Sequence, residues 1–169
     1  LVPYLCNYQG FGIFFDCDQL LRTDIAEIFS VTEKQPDKAV YVVKHTYEPR
    51  DDIKYLDTVQ HKYPRKNWSS VVLWNCDHFK NQCVTPEFIN TAEGLDLHRF
   101  TWLDDNEIGE LDVRWNWLVG EYDDPPEDVK NVHWTVGGPY FYEYRNADFS
   151  DEWFNEIKLV NFCLQRNQS

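Results

Sequence analysis

The apolar run Gly12-Ile13-Phe14-Phe15 ends in two acids one residue apart, Asp16-Cys17-Asp18. Such a run reads as a strand, and alternate side chains of a strand share a face. Two carboxylates therefore arrive together where the strand ends and a crevice opens. A pair of this kind can hold a hard divalent cation, Mg²⁺ or Mn²⁺, which in turn bridges phosphate oxygens. An isolated Asp-x-Asp fits equally well as acids capping the next turn, so the surrounding chain has to decide.

Strand signals recur at residues 39–43 and 70–74, rich in β-branched and aromatic side chains. Helical signals lie between and after them. Thr23 is placed as an N-cap with Asp24 in the first turn and Ile25, Ile28 and Phe29 on one face. Thr85-Pro86-Glu87 opens a second helix, and Ser150-Asp151-Glu152 a third, with Trp153, Ile157 and Val160 as its stripe. Strand, acidic pair and helix in that order form an α/β unit, and 169 residues suit one domain, 1–169. Residues 47–66, with Pro49 and Pro64, read as a long surface loop of the sort that covers active sites. The acids of 123–128 read as a solvated turn.

Sixteen Lys and Arg against 29 Asp and Glu leave a formal net charge of −13. That charge opposes a nucleic-acid partner, whose affinity comes from neutralised phosphates. A small anion remains compatible, because a bound cation reverses the local field. Aromatic residues make up 17% of the chain, and their rings serve both for stacking sugars and for packing a core. Five cysteines with no Cys-x-x-Cys pair indicate reduced thiols and a cytoplasmic protein. No stretch approaches the roughly 18 apolar residues of a membrane span. The first strand follows Leu1 almost at once, so an N-terminal part of a larger fold is expected to be absent.

Three further blocks carry candidate chemistry. In His133-Trp134-Thr135-Val136-Gly137-Gly138 the imidazole can be a third metal ligand, while Gly137 and Gly138 let backbone N–H groups approach a phosphate. A surface His followed by a turn gives the same pattern. Asp104-Asp105 can orient an acceptor hydroxyl, act as base or stabilise charge on a sugar ring, and can equally cap a short helix. Arg65, Lys66, Asn67, Ser69 and Ser70 can hold a diphosphate or sugar hydroxyls, or form an exposed basic loop. His45, His61, His78 and His98 have no metal-site spacing and read as surface or core-edge histidines.

Taken in order, these blocks resemble the retaining glycosyltransferases of family 8 and their bacterial and phage relatives. The likeness lies in Gly10 through Leu20 with Asp24 through Phe29, in Asn67 through Asn75, in Asp104-Asp105, in Trp115-Asn116-Trp117 and in His133. The resemblance implies an A-type glycosyltransferase fold, an α/β Rossmann-like mixed sheet flanked by helices, whose first strand and base pocket would precede Leu1. It implies Mn²⁺ or Mg²⁺ on Asp16, Asp18 and His133, and a donor sugar contacted from the Asn67 segment. It also implies Asp104 and Asp105 beside the anomeric carbon. The implied partners are a nucleoside-diphosphate sugar, a UDP-sugar first, and an acceptor the sequence does not identify. The family's Lys a few residues after the His and Gly is missing from Gly138-Pro139-Tyr140-Phe141. Either Lys66 or Arg65 replaces it, or the donor is bound differently. The expected function is metal-dependent transfer of a sugar with retention. Two alternatives stand beside it: a haloacid-dehalogenase-like phosphohydrolase with Asp16 as nucleophile and Asp18 as acid, and a non-catalytic carbohydrate-binding protein on a transferase scaffold.

Overall fold

The computed structural model describes residues 1–46, 56 and 63–166, with side chains up to 162. A short helix α1 (Val2–Leu5) leads into β1 (Phe11–Phe15). Two further strands of the same sheet, β3 (Val40–Val42) and β4 (Val71–Asn75), also fall on the sequence signals, and β5 (Ile108–Glu110) completes it in the order β1-β4-β3-β5. β4 runs antiparallel to β1 and β3, and β3 runs parallel to β5. Its side chains alternate between two buried clusters: Val72 and Trp74 with Val40, Phe100 and Ile108 on one face, Val71 and Leu73 with Ile28, Tyr41 and Leu111 on the other. Burial on both faces is what makes these strands read as unbroken apolar runs.

A second sheet, β2 (Gln19–Leu21), β7 (Asn131–His133) and β6 (Trp117–Leu118) in that order, carries its own core of Trp117, Val129, Val132 and Trp134. With segments of two or three residues there is no period to read in the sequence. Of the seven tryptophans, Trp74, Trp115, Trp117 and Trp134 are buried in the cores.

The helix after the acids begins as a 3₁₀ turn over Ile25–Phe29 and continues as α2 (Ser30–Lys34). Its N-cap is Asp24 in place of the expected Thr23: the Asp24 carboxylate accepts from the Ala26 N–H at 2.9 Å, while the Thr23 hydroxyl donates to Glu27 Oε1 at 2.6 Å. The next helix, α3 (Pro86–Thr91), starts as expected, with Thr85 Oγ1 accepting from the Phe88 N–H at 3.1 Å. It is followed by α4 (Gly94–His98) and finally α5 (Ser150–Arg166). In α5, Trp153 packs on the second core, whereas Ile157 and Val160 are exposed, so the expected stripe is buried only at its start. Most of the expected 47–66 loop, His61 included, lies outside the described residues, and 63–67 form turns. Within the 123–128 run, Asp128 pairs with Arg114 and stays exposed, as a solvated acid should.

Candidate metal centre

Asp16 follows β1 directly, and its N–H donates to the Ser70 carbonyl at 3.0 Å, which continues the β1–β4 ladder by one residue. Asp18 precedes β2, and its carbonyl accepts from the Trp134 N–H at 3.1 Å, which extends the β2–β7 ladder. The chain therefore passes from one sheet to the other within three residues, and both ladders fix the turn that displays the carboxylates. His133 closes β7. One ligand atom from each of Asp16, Asp18 and His133 lies within 4.8 Å of the others. His133 is 2% exposed and its Nε2 stands 3.4 Å from Asp18 Oδ1.

The other ring nitrogen of His133, Nδ1, is 2.9 Å from Asn116 Oδ1. A carbonyl oxygen only accepts, so Nδ1 carries a proton, and Nε2 is the nitrogen that faces the carboxylates. An imidazole nitrogen beside two carboxylates is a donor set for Mn²⁺ or Mg²⁺, and a hydrogen bond from the far nitrogen is the usual companion of a ligating His. The residues present thus fit a divalent cation.

Behind His133 lies a buried polar chain. Asn116 is fully buried, and its Nδ2 faces His45 Nε2 at 2.9 Å, Ser70 Oγ at 2.8 Å and the Asn67 carbonyl at 3.3 Å. His45 Nδ1 meets Tyr122 Oη at 2.7 Å. Burial, and secondarily the neighbouring His133, lowers the His45 pKa to about 3. Burial raises the Tyr122 hydroxyl to about 12, with the Glu121 charge adding to it. Both groups are therefore neutral at pH 7. Far from being a surface or core-edge histidine, His45 lies in the interior behind the candidate ligand.

The basic segment divides. Arg65 donates to the carbonyls of Arg99 (2.5 Å), Phe100 (3.1 Å) and Leu103 (3.2 Å) and pairs with Asp105 at 2.5 Å. Lys66 is buried with its ammonium 5.9 Å from the centroid of the Tyr63 ring. Tyr63 has its pKa raised by burial and then by the charge of Asp16, which places this ring near the centre. Ser70 joins the Asn116 network, whereas Ser69 turns the other way, to His98 Nδ1 at 2.8 Å. Gly137 and Gly138 are packed against by aromatic rings: a Cβ on Gly137 would lie 2.4 Å from Tyr144, and one on Gly138 would lie 2.3 Å from Tyr140. The Gly137 N–H donates to the Trp134 carbonyl at 3.1 Å. Both glycines thus lie against aromatic rings, and Gly137 sits in a turn.

Asp104 and Asp105 are not brought to the cluster. Both are exposed, just ahead of β5, whose first residue Ile108 pairs with Val40. Asp16 and Asp18 lie past the opposite end of the sheet, where Phe14, Val72, Val42 and Glu110 align. The backbone N–H of Asp104 donates to Glu107 Oε2 at 2.8 Å, in the helix-capping alternative that the sequence left open. Beside Asp16 opens an apolar cleft of about 190 Å³, with Phe14, Val72, Trp74, Phe100 and Trp102 among its walls. Asn116, His45, Tyr63 and Tyr122 were not candidate site residues in the sequence. The one available signal was an amide between two tryptophans at Trp115-Asn116-Trp117, since a buried polar residue is the informative kind.

Comparison with solved structures settles the architecture. The chain superposes on the apo structure of the bifunctional glycosyltransferase WbbM with a TM-score of 0.63 at 16% identity, over 92% of this chain and 34% of that one. The fold is that of an A-type glycosyltransferase. The Streptococcus pneumoniae glycosyltransferase GlyE is also similar, with a TM-score of 0.48 and 14% identity over 92% of this chain and 46% of that one. In sequence, the chain is 45% identical over 166 residues to Protein CDI of Arabidopsis thaliana, which covers 95% of this chain and 63% of that protein. The chain thus spans less than two thirds of that relative. No family model matches the sequence. His133, which the phosphohydrolase alternative left idle, faces the acids. No helix among the described residues is long and apolar enough to cross a membrane.

Proposed function

We propose that residues 1–169 are a single catalytic domain of a metal-dependent glycosyltransferase. In this reading it moves a sugar from a nucleoside-diphosphate sugar, a UDP-sugar first, to an acceptor with retention, as in family 8. The observation that carries the reading is the Nε2 of His133, 3.4 Å from Asp18 and grouped with Asp16 on the scaffold of a glycosyltransferase. Asp16, Asp18 and His133 would hold Mn²⁺ or Mg²⁺. The chemistry supplied by such a cation is neutralisation of the departing diphosphate, the main barrier to breaking the anomeric bond. Lys66, buried by Tyr63 near Asp16, adds a second positive charge and stands in for the family's missing Lys. Arg65 is already committed to three carbonyls and Asp105. The apolar cleft beside Asp16 shields the reacting end from water and offers rings for a sugar face. Asp104 and Asp105 have no part in this reading. Free thiols at Cys6, Cys17, Cys76 and Cys83 suit a reducing, cytoplasmic setting.

The test is calorimetric titration of the full-length protein with Mn²⁺, then with UDP and other nucleoside diphosphates in its presence, for the wild type and for Asp16→Ala/Asp18→Ala. The expected result is Mn²⁺-dependent nucleotide binding that the double substitution abolishes. A folded wild type that binds neither Mn²⁺ nor any nucleotide overturns the proposal in favour of a non-catalytic carbohydrate-binding protein, to be pursued on glycan arrays.

A further inference from the structure

We infer that Asn116 is a positioning residue whose amide, set by His45, Ser70 and Asn67, locks His133 in the Nδ1–H tautomer. An asparagine amide fits its site in two orientations that differ by exchange of oxygen and nitrogen. Here the choice is forced. The Asn67 carbonyl accepts only, and it already takes the Ser70 hydroxyl proton at 2.7 Å, so Ser70 Oγ offers Asn116 a lone pair. These two acceptors make the near end of the amide its NH₂, which then faces a lone pair on His45 Nε2 at 2.9 Å and leaves the proton of the neutral ring on Nδ1, toward Tyr122. Three acceptors at 2.8–3.3 Å therefore surround one end of the amide, and that end is the NH₂. The carbonyl end then faces His133 Nδ1 and admits only a proton donor there.

Reversing the amide would set a carbonyl oxygen against acceptors inside a fully buried site, where a polar group without a hydrogen bond is costly. Donation runs one way, from His133 to Asn116 to His45 to Tyr122, and Nε2 is the His133 nitrogen that faces Asp18. Asn116 thereby acts on the centre without reaching it. The consequence for metal affinity rests on the proposed function above; the tautomer does not.

The tautomer is read directly by long-range ¹H–¹⁵N correlation of the imidazole nitrogens in the metal-free, full-length protein at pH 7.5. His133 is expected as the Nδ1–H form, and a wild-type His133 protonated at Nε2 overturns the inference. Mn²⁺ titration adds a second arm. Asn116→Leu is expected to weaken binding about 10–100-fold. A folded Asn116→Leu protein that binds Mn²⁺ like the wild type and keeps the Nδ1–H form also overturns it. Should the leucine variant fail to fold, the wild-type spectrum decides alone. An Nδ1–H wild type that binds no Mn²⁺ supports the lock and overturns the metal reading.

Discussion

The imidazole of His45 is buried between Asn116 and Tyr122, and burial lowers its pKa from 6.5 to about 3. In the unfolded chain it protonates near 6.5, so between these values the unfolded state binds more protons. The stability this group contributes is complete above pH 6.5 and is lost as pH falls toward 3, by at most about 1.4 kcal/mol per pH unit. Urea unfolding at pH 7.5 and 5 should show the wild type losing more stability than His45→Gln, and equal losses would refute the assignment. At the same scale, Arg65 and Lys66 separate. Arg65→Ala removes donors to three carbonyls and should cost about 1–3 kcal/mol in urea unfolding, leaving Mn²⁺ affinity within twofold. Lys66→Ala should instead weaken UDP binding in the presence of Mn²⁺. Asp16, Asp18 and His133 were legible in the sequence because metal ligands are few in kind and their strand context was readable. Asn116 and His45 were not, because their side-chain partners come from residues 17 to 77 positions apart, which only packing brings together.

At the scale of elements, local signals were reliable where a strand or cap is self-contained. Residues 12–15, 39–43 and 70–74 contain β1, β3 and β4 almost to the residue, since apolar β-branched runs encode burial on both faces. The insertion of β4 between β1 and β3 was not legible, nor was the second sheet, whose segments are too short for a period. The start of the first helix shows how fine the local competition is. Asp24 reaches the N–H two residues ahead, and Thr23 is diverted to Glu27. Asp24→Ala should therefore cost about 1 kcal/mol, as a lost N-cap does, and Thr23→Ala clearly less. Chemical denaturation of the two variants checks the order, which reverses if threonine is the cap.

For the molecule as a whole, the candidate centre joins two sheets. Asp16 is tied to the first through Ser70, Asp18 to the second through Trp134, and His133 ends the strand between β2 and β6. One ligand atom from each of the two carboxylates and from His133 falls within 4.8 Å of the others, so a cation bound there ties both sheets together. Mn²⁺ at 100 times its dissociation constant stabilises a protein that binds it only when folded by about 2.7 kcal/mol. For a chain of this length that is a rise of roughly 5–10 °C, expected in the wild type and absent from the double variant Asp16→Ala/Asp18→Ala. Scanning calorimetry of each protein with and without Mn²⁺ checks this. Equal responses of the two proteins would place the ion elsewhere and detach the acidic pair from any role in holding the sheets together.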